Sequence, residues 1–186
     1  MVANWKLLQF FSLGLILILV LGACSEASPN FGKAFRGRSL NVTIYELQRT
    51  DDLRYASTGS HYRIEPSSEG FELVLLKIEV ANHTATSAIV NIDGQAAELH
   101  DFLRGRYYPI DINERAQEVK NPPTARDEQP ADFRFLWNRT FENGESEAFD
   151  LKNGFGVTGW LVFEAPKDTK FRELRWRAGD SLSIDF

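Results

Sequence analysis

The side chains able to do chemistry in this chain are few and scattered. It has one cysteine, Cys24, and three histidines, His61, His83 and His100. The histidines are far apart, each beside turn residues or within a strand pattern. A catalytic zinc site takes three protein ligands as a rule, and no HExxH pair is present. No GxSxG offers an activated serine, and the adjacency of Ser60 and His61 in sequence does not place a hydroxyl against a ring nitrogen. Asp101, Asp111, Asn113 and Glu114 are oxygen donors of the kind calcium takes, but they lack EF-hand spacing and read as a solvated acidic loop. Gly154-Phe155-Gly156-Val157-Thr158-Gly159 matches GxGxxG, which holds a dinucleotide only where a strand feeds a helix. Here it leads into aromatic and β-branched residues closed by Pro166, so the glycines read as a β-turn. No catalytic, cofactor-binding or metal-binding residue is assigned, and no enzyme activity is expected.

That leaves Cys24. Residues 1–23 carry Lys6 ahead of an apolar core broken by Gln9, Ser12 and Gly14 and end in small residues, the layout of an export signal. Leu21-Gly22-Ala23-Cys24, followed by Ser25-Glu26-Ala27-Ser28-Pro29, resembles the lipobox of bacterial lipoproteins. The resemblance implies cleavage before Cys24, a diacylglyceryl group on its sulfur, and a protein held by lipid on the extracytoplasmic face of a bacterial cell membrane. The competing reading is one transmembrane helix, which needs roughly 17 to 25 apolar residues. It gives no reason for a lone cysteine after small residues.

Lys6 is one of 21 basic residues against 26 acidic ones, so the mature chain is mildly acidic. General nucleic-acid binding rests on an excess of Lys and Arg and is excluded. With Cys24 lipidated no thiol remains for a disulfide. One domain of about 150 residues buries enough surface to need none, and the 14 Phe, 4 Trp and 5 Tyr of the chain, less Trp5, Phe10 and Phe11 of the leader, supply the bulk. A monomer is expected.

The elements that must hold any site follow in order. Residues 24–38 read as a flexible tether whose Phe31 and Phe35 either dock on the domain or lie in the headgroup layer. Leu40, Val42 and Ile44 alternate with Asn41, Thr43 and Tyr45 as a strand. Residues 49–69 are polar and turn-rich and read as a long connection with a short strand at 62–64. In residues 70–82, Val74, Leu76, Ile78 and Val80 form one apolar face, while Phe71, Leu73 and Leu75 make the early part apolar on both sides, which marks a central strand. Asn82-His83-Thr84 and Asp93-Gly94 are turns in a meander that includes residues 88–92, Ala97 and Leu99. Asp111 with Glu114 fits a capping box, with Ile112, Ala116 and Val119 on one helical face. The whole insertion over 111–131, with Asn121-Pro122-Pro123, is long enough to suspect a binding role. Phe133, Phe135 and Trp137 alternate as a strand. Leu161 and Phe163 belong to the core, with Glu164 facing water. Lys170, Arg172, Arg175 and Arg177 around Trp176 either meet anionic lipid or polymer or mark a charged edge strand. The Asn-x-Thr sequons at Asn41, Asn82 and Asn138 read as strand and turn residues.

These patterns indicate an all-β, antiparallel β-sandwich of roughly seven to nine strands with one short helical insertion. Three pieces also resemble a known family: the strand at 70–82 with its asparagine turn; Leu99 with Asp101, Gly105 and Tyr108; and Asn143-Gly144-Glu145 followed by Gly159-Trp160-Leu161-Val162-Phe163-Glu164 and Pro166. That family is the immunoglobulin-like domain of unknown function of bacterial lipoproteins, similar in fold to a secreted mycobacterial antigen. The resemblance covers residues 39–186 and implies an immunoglobulin-like sandwich but no active site. Asn143, where the family commonly has proline, and the 111–131 insertion depart from it. The expected role is noncatalytic binding of an envelope protein or polymer; the alternative is an extracytoplasmic enzyme whose site exists only in the fold.

Overall fold

The computed structural model describes residues 27–120, 129, 133–141 and 145–186. The leader, Cys24 with its expected lipidation, and residues 25–26, 121–128, 130–132 and 142–144 lie outside the described residues. In chain order the strands are β1 (Ala34–Arg36), β2 (Leu40–Thr50), β3 (Leu53–Ser57), β4 (Ser60–Ile64), β5 (Phe71–Asn82), β6 (Ser87–Val90), β7 (Ala97–Asp101) and β8 (Arg106–Tyr107). After one helical turn, α1 (Ile112–Arg115), come β9 (Gln117–Glu118), β10 (Arg139–Thr140), β11 (Ser146–Glu147), β12 (Phe149–Lys152), β13 (Gly156–Pro166), β14 (Phe171–Trp176) and β15 (Leu182–Asp185).

Two four-stranded antiparallel sheets, β1-β2-β5-β13 and β15-β14-β7-β8, enclose the main core, so the chain is an all-β sandwich as expected. Val74, Leu76, Ile78 and Val80 of β5 are fully buried there with Leu161 and Phe163 of β13, Leu99 of β7, and Leu174 and Trp176 of β14. In β2 a bulge at Tyr45 shifts the register between Ile44 and Glu46, so that Leu47 rather than Glu46 faces the core. The pair β6-β12 closes the sandwich beside Ile92 and Leu151.

The first sheet is also covered on its other side. Leu73 and Leu75 of β5, with Trp160 and Val162 of β13, point away from the main core and join Leu53, Ile64 and Ile112 in a second apolar cluster. The double-faced start of β5 read in the sequence is therefore real, and β5 is central, between β2 and β13. The covering layer is the three-stranded sheet β3-β4-β9 with α1 and the segment around Phe133 and Phe135.

Several expectations are corrected. Residues 49–69 are not a plain connection: β3 and β4 form a hairpin whose turn places Thr58 and Gly59 at φ 49° and 85°. Strands β5, β6 and β7 make no meander, since β5 pairs with β2 and β13, β6 with β12, and β7 with β14 and β8. The chain crosses between sheets because each buries its own apolar face. The 24–38 tether is shorter than expected: β1 pairs with β2, and Phe31 and Phe35 pack against the main core. The capped helix is one turn, with Asp111 accepting from Asn113 N, and Val119 instead donates to His61 O. Residues 133–137 form no regular strand. Phe135 bridges Trp160 in parallel, Leu136 N donates to Trp160 O, and Leu136 enters the main core. That close approach requires Gly159, where a Cβ would lie 2.9 Å from Leu136 N.

Candidate functional site

The expected chemical residues are dispersed. Asp101 accepts from Leu103 N, Gly105 N and Tyr107 Oη, while Asp111 caps α1, so the two acidic positions serve separate turns. Among the described residues no group of three or more His, Cys, Asp and Glu is arranged to hold a metal. Of the 154–159 glycine run only the start is a turn, at Gly154 with φ 79°; Gly156, Val157, Thr158 and Gly159 already belong to β13 and pair with β5, so the run feeds a strand and no helix. Asn82 is 1% exposed and ties its turn by donating to Ala85 O and Leu151 O, and Asn138 receives Ile92 N, so both sequon asparagines are structural. Glu164 does not face water: it accepts from Ser67 N and pairs with Arg115 at 3.0 Å under the covering layer.

His100 has the most developed surroundings of the three histidines. It leaves β7 on the outer face of its sheet, yet only 4% of it is exposed. Its Nε2 lies 2.9 Å from Glu98 Oε2 and its Nδ1 3.9 Å from Glu173 Oε2. Arg177 pairs with Glu98 at 3.0 Å and Arg175 with Glu173 at 3.1 Å. Burial pushes the Glu98 carboxyl up, but hydrogen bonds from His100 and Tyr108 and the charge of Arg177 outweigh it and hold the carboxyl below its ordinary value. The Ser183 hydrogen bond, helped by Arg175 against burial, does the same for Glu173. The edge-strand reading of the basic stretch is corrected: β14 lies inside its sheet, between β15 and β7, and Arg175 and Arg177 neutralise carboxylates beneath them. Nε2 of His100 holds a carboxylate of its own strand and Nδ1 faces one of β14, and beside this buried set Arg175, Arg177, Ser181, Leu182 and Ser183 line a cavity of about 430 Å³.

Two larger, adjoining cavities lie on the opposite side of the molecule, in the layer over β5 and β13. One cavity of about 590 Å³ is lined by Tyr55, Tyr62, Phe135, Trp137, Arg134 and Arg139, among others. A second of about 450 Å³ adjoins it through Phe133 and Arg134 and is lined by Glu46, Gln48, Lys77 and Trp160, among others, with Glu46 accepting from Gln48. Tyr55 stacks on Tyr62 at 5.4 Å and meets Phe135 edge-on at 4.7 Å, and Phe133 stacks on Trp160 at 5.5 Å. Burial, with Tyr62 adding to it, pushes the Tyr55 hydroxyl up to about 12. Lys77 lies over the Trp160 ring at 5.7 Å, and Arg139 over Phe141 at 5.0 Å. Lys77, Arg134 and Arg139 have no carboxylate partner among the described residues. Sequence reading missed this groove, because its walls come from β3, β4, β5, β13 and residues 133–140. Only the aromatic alternation at 133–137 hinted at it.

Among the described residues no helix is long and apolar enough to cross a membrane. No protein-family model and no curated protein matches the chain. Among solved structures the chain is similar to the yjhA protein from Bacillus subtilis, with a TM-score of 0.50 and 16% identity over 83% of this chain and 95% of that one. A conserved hypothetical protein from Bacillus anthracis aligns with a TM-score of 0.49 and 17% identity over 87% of this chain and 96% of that one. The first likeness is one of fold: an all-β sandwich.

Proposed function

We propose that this protein is a noncatalytic binding module, anchored by lipid at Cys24 on the extracytoplasmic face of a bacterial cell membrane. Its groove over β5 and β13 takes an envelope polymer or protein. The observation that carries the reading is the groove's composition: half-buried aromatic rings beside Lys77, Arg134 and Arg139, cations without carboxylate partners among the described residues. Aromatic walls bury the flat faces of a ligand, and a few convergent polar groups orient it. Unpaired cations favour an anionic one. Against the alternative of an extracytoplasmic enzyme, the one histidine set among carboxylates, His100, is buried, with its Nε2 held 2.9 Å from Glu98.

The test is photo-crosslinking in intact cells from position 137 in the groove and from Ile89, 62% exposed on β6. A discrete adduct from position 137, absent from position 89 and lost with Arg134→Glu, is expected. Equal labelling from both positions would reject the groove. Cys24→Ala should separately abolish incorporation of labelled palmitate, since two acyl chains anchor stably where one does so only marginally. Undiminished labelling would reject the anchor.

A further inference from the structure

The turn between β7 and β8 exposes the largest apolar tip of the described residues. Phe102 is 67% exposed and Leu103 90%. The tip is a built structure. Asp101 Oδ1 accepts from Leu103 N at 2.8 Å and Gly105 N at 2.6 Å, and Oδ2 accepts from Tyr107 Oη at 2.9 Å. Arg104 adopts φ 71°, a left-handed conformation that residues with a side chain seldom take. A Cβ on Gly105 would come 2.5 Å from the Asp101 carboxylate and 2.7 Å from Tyr107 Oη, so a side chain there would displace the bond between them. The outcome is two apolar side chains held outward and flanked by exposed Arg104 and Arg106.

The same end of the sandwich receives the start of the chain. Phe171, at the head of β14, pairs with Asp101 at the tail of β7. Phe186 N donates to Arg172 O at 2.8 Å, Phe31 packs edge-on against Phe186 at 5.9 Å, and Asn30 donates to Asp185 O. Arg172 also lies close enough to lower the Asp101 pKa. Of the acidic residues at this end, Asp51 pairs with Lys167 and Glu72 with Arg49, while Asp168 and Asp185 are exposed, distant in sequence from the β7–β8 tip that carries Arg104 and Arg106. Only Ser25, Glu26 and Ala27 separate Cys24 from Ser28, which accepts from Phe31 N. At roughly 3.3 to 3.6 Å per residue, the four steps from Cys24 to Ser28 span at most about 14 Å.

We infer that this end of the sandwich lies on the membrane, with Phe102 and Leu103 inserted at the boundary of headgroups and acyl chains. Arg104, Arg106 and Arg172 meet anionic headgroups. The inference rests on the lipid-anchor reading and adds an orientation to it: the groove, on a face of the sandwich, opens sideways along the membrane. Apolar side chains ringed by basic ones are the composition that seats a surface in the interface.

The test uses the processed, lipidated chain in vesicles of phosphatidylglycerol and phosphatidylethanolamine. A fluorophore is attached through Leu103→Cys or, at the opposite end beside the Asn82 turn, through Asn153→Cys. With Cys24 lipidated, the introduced cysteine is the one reactive thiol. Quenchers carried on the lipid should extinguish the fluorophore at position 103 and leave the one at 153 bright, and adding Phe102→Glu should restore emission at 103. A bright signal at 103, or quenching at 153, overturns the orientation. The mass of the Cys24 peptide from the same vesicles separates the two failures. A lipidated chain with a bright 103 overturns the orientation alone, and an unlipidated chain overturns the anchor with it.

Discussion

Leu75→Ala and Leu76→Ala remove the same atoms from neighbouring residues whose side chains leave β5 in opposite directions, one into the covering layer and one into the main core. Both are 0% exposed. Each substitution loses the transfer free energy of the side chain and leaves a cavity, together roughly 2 to 5 kcal/mol. For a domain of this size about 1 kcal/mol shifts Tm by roughly 2 to 4 °C, so each variant should melt roughly 4 to 20 °C lower. Lys77→Ala, next along the strand, loses only the contact over Trp160, about 0.5 to 1 kcal/mol. Urea unfolding followed by tryptophan fluorescence reads all three, and an unchanged slope keeps the midpoints comparable. A sandwich with one wet face predicts that Leu75→Ala is nearly neutral. If it stays within about 0.5 kcal/mol while Leu76→Ala costs several, the covering layer is not packed and the reasoning fails.

Glu164→Ala should cost roughly 1 to 3 kcal/mol at pH 7, because Arg115 and Ser67 N lose their partner under the covering layer. Burial raises the Glu164 pKa, but the Ser67 and Arg115 bonds outweigh it and hold the carboxyl below its ordinary 4.5. Its contribution is therefore present above 4.5 and lost as pH falls through the lower folded value, so urea midpoints of wild type and variant should converge in acid. A difference that persists unchanged at pH 2 would contradict this. A fragment starting at Leu40 should be less stable than one starting at Ala27 by at least about 1.5 kcal/mol, since it lacks β1 and the packing of Phe31 and Phe35. Equal denaturation midpoints would return those residues to a tether. In an absorbance titration Tyr55 should ionise near 12, shifted up from 10.0, and stability that rests on its neutral form should fall as pH rises from about 10 towards 12.

The class of fold was legible in local periodicity. Alternation in β5 and β13 reports which residues share a face, and that depends only on the backbone. The double-faced Leu73 and Leu75, the Asn82 turn and the turn at Gly154 were legible for the same reason. Pairing was not, because period two says that a strand has a buried face and not which strand lies beside it. Thus β5 found β2 and β13 across long sequence separations instead of the nearby β6, and β14, charged like an edge, proved interior because Arg175 and Arg177 cover Glu173 and Glu98. The groove was least legible of all. Tyr55, Lys77, Arg134 and Trp160 show no common spacing, and each alone is an ordinary strand or loop residue. Only the folding of the hairpin and the 133–140 segment over the outer face of β5 and β13 sets those rings and cations around one cavity, since burial of the second apolar face draws them there.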